Sequence, residues 1–303
     1  MPKIVVTHPM GLSTQQQKRL EKFGTVTYLD TPPKNGQDWV ERCQGFDIVC
    51  SWMSGLRENY GQLKNTFISV PFVGVSSFAD PKIVKQNKLI ICNSPGCNRH
   101  AVSEWISYMM LTSMRRLDKF LNTNESLSFP LPYSPLGLAG KRVTILGKGN
   151  IGKRVGKICK AFEMKVSFFE RGDDLLQKIT NADIIVDVLS ANASSKNLLN
   201  KTFFHAVKTG ATFISVTVDS IVDIDAMIAA LDRNQLSYVA HDVMNAPPAD
   251  TKNSLYQRFR THPRIFATPH IAAFTDVTNT IGNDMMIDNI EAWLNGKPIH
   301  VFS

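Results

Sequence analysis

Arg142-Val-Thr-Ile-Leu-Gly147-Lys-Gly149-Asn150-Ile151-Gly152 is the stretch on which the fold turns. Arg142–Leu146 is a short apolar run rich in β-branched residues and reads as a buried strand. Glycines at 147, 149 and 152 follow it at GxGxxG spacing, and Ile151–Phe162 has helical spacing. Alone the glycine pattern is weakly specific. Between a strand and a helix it is what a dinucleotide site needs. Gly147 permits the tight turn, Gly149 lets the backbone approach a pyrophosphate, and Gly152 lets helix and strand pack closely. Asn150 and Ile151 open the helix, whose free N–H groups and positive dipole end suit the phosphates. The next strand, Lys165–Phe169, ends at Glu170, 18 residues beyond Gly152. A carboxylate there accepts the adenosine ribose hydroxyls and favours NAD over NADP. Arg171 beside it is a residue type that pairs with a 2′-phosphate, so NADP stays open as the second choice.

Strand-like and helix-like segments alternate on both sides of this motif. Upstream, Lys3–Thr7, Thr25–Tyr28, Asp47–Cys50, Phe72–Val75 and Leu89–Cys92 read as strands, and Ser13–Phe23 as a helix. Downstream, Asp183–Leu189, Thr212–Val216, Ser237–Ala240 and Ile265–Thr268 read as strands, with helices at Ile224–Arg233 and Thr280–Asn295. Such alternation implies parallel sheets covered by helices, the α/β class. Ala101–Leu121 is a long helical segment, apolar on most faces, of the kind buried between layers or domains. Asn122–Gly140, with Pro130, Pro132 and Pro135, reads as a loop and a first candidate for a domain boundary.

The 303 residues suggest about two domains. Hydrophobic residues at 43% and charged residues at 20% exclude a disordered chain. No apolar run is long enough to span a membrane, and MPKIVVTHPMGL does not have the form of a signal peptide. Cysteines at 43, 50, 92, 97 and 159 form no CxxC pair, which points to reduced thiols in a cytoplasmic protein; no metal site is expected. The 34 Lys and Arg exceed the 26 Asp and Glu by 8. No nucleic-acid motif accompanies this surplus, so nucleic acid is not an expected partner. Scattered surface lysines, or a positive field for an anionic cofactor, account for it as well.

With the glycine motif placed, the chain resembles the D-isomer-specific 2-hydroxyacid dehydrogenases over nearly its whole length. Asn93–Glu104 (NSPGCNRHAVSE) is similar to that family's NxPGxNxxAVAE, and Leu138–Val143 (LAGKRV) leads into the glycine motif as it does there. Ala211–Asp223 (ATFISVTVDSIVD) stands where the family reads ALLINTARGGLVD. Ala240–Val243 (AHDV) and Ala267–Ala272 (ATPHIA) resemble its ALDV and LTPHIAG segments. The resemblance implies two doubly wound parallel-sheet domains. A Rossmann cofactor domain at 99–276 is inserted into a flavodoxin-like substrate domain at 1–98 and 277–303. This shifts the boundary away from the 122–140 loop. It also implies hydride transfer between a nicotinamide and a small 2-keto or 2-hydroxy acid, or a related carbonyl compound. A homodimer formed through the long helix is implied too.

Carried over residue by residue, the family's catalytic His is His270, the position of its substrate-binding Arg is Val218, and the position of its Glu is Pro247. Val218 cannot make the bidentate pair that a carboxylate takes from Arg. Pro247 offers His270 no acceptor that would raise its pKa. Thr217 and Asp242 fall in segments that the resemblance places at the cofactor, Asp242 at the nicotinamide amide. Arg99 and His100 lie near the cleft in this architecture, and Ser54, Ser76 and Ser77 sit in loops that face substrate in the family. Ser76, Ser77 and Arg99 are therefore, with Val218, the candidate substrate residues, while Arg99 also reads as a surface or phosphate-contacting residue. Trp52 and Phe78 could line an apolar pocket or simply pack, and His241 could simply pack beside Asp242. Two readings stand at this point: an oxidoreductase with an altered site that keeps only His270, and a non-catalytic NAD(H)-sensing or scaffold protein.

Overall fold

The structure is a computed structural model, and it describes residues 1–117, 119, 134–243 and 247–302. Most of the 122–140 segment, the end of the expected long helix and part of the stretch before Pro247 lie outside the described residues. The chain forms two compact units, Met1–Asn98 with Phe274–Ser303, and Arg99–Ala273.

The first unit is built on a five-stranded parallel sheet of order β2-β1-β3-β4-β5. Its strands are β1 (Lys3–Val6), β2 (Thr25–Tyr28), β3 (Ile48–Cys50), β4 (Phe67–Ser69) and β5 (Ile90–Cys92). Its helices are α1 (Thr14–Glu21), α2 (Gly36–Cys43), α3 (Leu56–Asn59) and α4 (Pro81–Gln86), with a helix near the C-terminus described below. Ser13 caps α1 in a reciprocal capping box with Gln16. Neighbouring strand residues alternate between two apolar cores, because side chains along a strand point to opposite faces. Val5, Val49, Ile68 and Ile91 join Trp39 and Leu56 on one face. Ile4, Ile48, Cys50, Phe67 and Cys92 join Met286, Ile287 and Ile290 on the other. Burial on both faces is what requires near-continuous apolar strands.

The expected strand at Phe72–Val75 is not found; the strand is β4, just before it. Pro71 has no N–H for the ladder and stops the pairing. Residues 75–77 then form a short 3-10 turn. Helices α2 and α4 were not expected from the sequence.

The second unit carries a six-stranded parallel sheet of order β11-β10-β9-β8-β6-β7. Its strands are β6 (Arg142–Leu146), β7 (Lys165–Phe169), β8 (Ile184–Asp187), β9 (Ala211–Ser215), β10 (Leu236–Asp242) and β11 (Ile265–Thr268). Its helices are α5 (Arg99–Arg115), α6 (Asn150–Ala161), α7 (Leu175–Ile179), α8 (Lys201–Ala206), α9 (Ile224–Asp232) and α10 (Ser254–Arg260); α11 (Asp276–Leu294) returns to the first unit. The expected helix from Ala101 begins at Arg99 instead, and after Arg115 the backbone of Arg116 turns left-handed, with φ of 53°. One core face gathers Ile185, Phe213 and Val239 with Phe203 and Phe204; the other gathers Val143, Ile145, Ile184, Val186 and Ile214 with residues of α5. Each such fully buried large side chain contributes roughly 1.5–3 kcal/mol.

From β6 the chain steps to β7 on one side and then to β8 on the other. The carboxyl ends of β6 and β8 therefore form the topological switch point, where doubly wound sheets bind ligands. All five cysteines are buried and none forms a disulfide. Among the described residues no helix is long and apolar enough to cross a membrane.

Candidate functional site

The glycine turn sits at this switch point. Gly147 takes a φ of 104°, which side-chain-bearing residues rarely adopt. Gly152 stands so close to the turn that a Cβ there would meet the Gly147 carbonyl oxygen at 2.1 Å. Gly149 precedes Asn150 at the start of α6, and a Cβ there would meet nothing within 4 Å. The first and third glycines are thus required by the turn itself. The second leaves open space above free helix N–H groups, a cradle that fits a pyrophosphate.

Around this cradle the structure groups several polar side chains. Lys148 Nζ donates to Glu170 Oε1 at 2.7 Å, from the glycine turn to the end of β7. Arg171 donates to Ser194 Oγ at 3.3 Å. At the end of β8, Asp187 is fully buried and accepts from Ser215 Oγ at 3.1 Å, Thr217 Oγ1 at 2.5 Å and the Leu189 backbone N–H at 3.2 Å. Burial pushes its carboxyl up to about 6, against the pull of those donors.

His270 lies on a turn after β11 and takes a left-handed φ of 57°. Asp242, buried at the end of β10, holds that turn. Its Oδ1 accepts from Thr268 Oγ1 at 2.6 Å and Ile271 N–H at 2.9 Å, and its Oδ2 accepts from Ala272 N–H at 2.9 Å. Ala249 N–H donates to the Pro269 carbonyl at 2.8 Å, so the segment just after Pro247 is tied beside the same turn. Val218 packs against the apolar core of this unit. Arg99 and His100 open α5. Burial, Arg154 and Arg99 together lower the His100 pKa. His241 is fully buried against Phe259, ring centroids 5.3 Å apart. Neither of its ring nitrogens has a hydrogen-bond partner among the described residues, and burial pushes it down to about 4.

In the first unit, Ser54, Ser76 and Ser77 are exposed, and Ser77 Oγ donates to the Gly74 carbonyl at 2.6 Å. Trp52 stacks on Phe72 at 6.0 Å and Phe78 sets an edge against Tyr60 at 5.9 Å, so both aromatic side chains pack within their own unit.

Sequence reasoning passed over Asp187, Ser215 and Lys148. The signal for Asp187 was available: a carboxylate interrupts the apolar run Asp183–Leu189. Its side-chain partners lie 28 and 30 residues onward and only the sheet brings them together.

A doubly wound sheet with a glycine cradle at its switch point, and a histidine on a turn at the same sheet's carboxyl end, defines a dinucleotide-dependent oxidoreductase fold. The signature of the D-isomer specific 2-hydroxyacid dehydrogenase NAD binding domain matches residues 107–272, and the chain belongs to that family. The family is one of NAD-dependent oxidoreductases, and NAD is the cofactor its matched domain binds. The chain is similar to a glycerate dehydrogenase of Methylorubrum extorquens, 26% identical over 279 residues that cover 88% of each chain. It is also similar to a D-lactate dehydrogenase of Streptococcus agalactiae, 25% identical, covering 78% of this chain and 80% of the other. Among solved structures, an acyclic imino acid reductase in complex with NADPH and D-Arg superposes with a TM-score of 0.83 at 21% identity, covering 99% and 100% of the chains. A D-lactate dehydrogenase with NAD+ from Lactobacillus jensenii gives 0.75 at 21%, covering 99% of each.

Proposed function

We propose that this protein reduces a small carbonyl compound, or oxidises the matching hydroxy compound, at a site that does not depend on an arginine clamp. What supports this is Val218, which the sequence resemblance sets at the family's Arg position and which packs against the apolar core. NAD, when bound, supplies the hydride acceptor or donor. Gly147, Gly149, Asn150, Ile151 and Gly152 hold its pyrophosphate. Glu170 accepts from the adenosine ribose, with Arg171 beside it, and Thr217 and Asp242 border its nicotinamide end. Asp242 acts there by holding the turn. His270 hydrogen-bonds the substrate oxygen and gives it a proton as the carbonyl is reduced, or takes one back in the reverse direction. Ser76, Ser77 and Arg99 bind the substrate in place of the missing guanidinium. Residues 99–276 form the cofactor domain, and residues 1–98 and 277–303 the substrate domain. The protein works as a cytoplasmic homodimer.

NADH oxidation against a panel of 2-keto acids, aldehydes, ketones and imino acids tests this reading. The expected result is turnover of a carbonyl or imine compound, with glyoxylate, pyruvate and hydroxypyruvate poor substrates. Ordinary dehydrogenase rates on those three acids would overturn it, as would NADH binding with no turnover of any panel member.

A further inference from the structure

We infer that Asp187 is a positioning residue of the cofactor site, and that its ionised carboxylate holds in place the two loops that leave β8 and β9 at the switch point. The inference rests on the NAD reading of this unit.

Asp187 is the last residue of β8, and in register it stands between Leu146 of β6 and Ser215 of β9. Gly147 follows Leu146 directly. A Cβ on Gly147 would meet the Val188 carbonyl oxygen at 3.2 Å, so the loop after β8 lies against the glycine turn. Asp187 fixes that loop through the Leu189 N–H. It fixes the loop after β9 through Thr217, whose own N–H also donates to Ser215 Oγ at 3.3 Å. Val218 comes next in that loop. One carboxylate therefore sets both backbone segments on the β8 side of the crevice, while its full burial keeps it from touching the cofactor itself.

The three donors suit an acceptor, and hydrogen bonds to an ionised acceptor are the stronger kind. Among the described residues no charged side chain acts on the carboxyl; burial favours its neutral form and its three donors favour the ionised one. From β6 it meets Leu146, from β9 Ser215, and from the loops Leu189 and Thr217. The next side chain in that row is His241 of β10, in register with Ser215 and neutral. A proton on Asp187 turns an acceptor into a donor that Ser215 and Thr217 must rearrange to meet. The loops loosen, and the cofactor is held less well as pH falls through about 6.

The test uses ADP-ribose, which carries the adenosine and pyrophosphate, is inert to redox and survives acid. Its Kd is measured by calorimetry on the full protein from about pH 7.5 to about pH 5. The wild-type Kd is expected to rise about fivefold on acidification, the equivalent of about 1 kcal/mol. Asp187→Asn is expected to be weaker at neutral pH and to lose the pH dependence. Ser215→Ala removes one donor to the ionised form, so it is expected to move the midpoint upward; it serves also if Asp187→Asn fails to fold. A flat wild-type profile, a wild-type slope in Asp187→Asn, or an unmoved midpoint in Ser215→Ala would overturn the inference. Absence of ADP-ribose binding at every pH would overturn the cofactor reading beneath it.

Discussion

The buried carboxylate of Asp242 accepts the backbone N–H of Ile271 at 2.9 Å, and with Thr268 and Ala272 it pins the left-handed turn that carries His270. The acid is thus part of how the histidine is held. Asp242→Ala leaves three donors without their acceptor. A buried group left unsatisfied costs roughly 1–3 kcal/mol, so the expected loss is about 3 kcal/mol or more. Asp242→Asn keeps one acceptor oxygen and should lose about half as much. Urea unfolding of the two variants and the wild type measures this; equal midpoints would show that the turn holds without Asp242.

Val218, proposed above to stand at the family's Arg position, packs against the apolar core of its unit. Val218→Arg puts a carboxylate-binding fork at that point, with its methylene stem retaining part of the apolar contact. The expected result is a rise of about tenfold in kcat/KM for pyruvate or glyoxylate, worth about 1.4 kcal/mol of transition-state binding. Aldehydes and ketones without a carboxylate should not gain. Steady-state kinetics on both substrate sets decide it, and a uniform change across the two sets would show that no carboxylate clamp had been created.

Local pattern made much of this protein legible. Thr25–Tyr28, Lys165–Phe169 and Ile265–Thr268 are strands with the expected limits, because each is a short apolar or β-branched run between turn residues. The glycine turn was legible for the same reason: its chemistry is written within six residues. Phe72–Val75 misled because its apolar run resembles a strand while Pro71, one residue earlier, has already ended the ladder. The role of Asp187 was hidden for a different reason. Ser215 and Thr217 reach it only through the register of β8 with β9, which no local window contains. Asp242 was singled out from the sequence, but its bonds to Ile271 and Ala272 come from a turn across β10 and β11.

Glu170 and Lys148 form an ion pair whose side chains are 52% and 44% exposed, so the pair adds little to stability. Its charge still bears on cofactor choice. Glu170→Ala removes the acceptor proposed for the ribose hydroxyls and leaves Lys148 and Arg171 without that neutralising carboxylate. The ratio of NADPH to NADH affinity is expected to shift toward NADPH by about tenfold, most strongly at low salt. Fluorescence titration of both cofactors gives the ratio. A ratio that stays at the wild-type value would remove Glu170 from the cofactor site.

His241 gives acid sensitivity a definite sign. Buried beside Phe259, it is pushed down to about 4 from an ordinary 6.5. The unfolded chain takes up its proton first, so the contribution to stability is intact above about 6.5 and is lost as pH falls toward 4. That gap corresponds to about 3 kcal/mol at the low-pH limit. His8, also buried and pushed down to about 4, acts in the same sense, while Asp187, pushed up to about 6, acts in the opposite one. His241→Leu removes one histidine contribution and two buried nitrogens that have no partner among the described residues. It should be at least as stable as wild type near neutral pH, and should lose less Tm on acidification to about pH 5. Melting curves at the two pH values measure the difference; an equal loss of Tm in both proteins would mean that His241 does not set the acid limit of the fold.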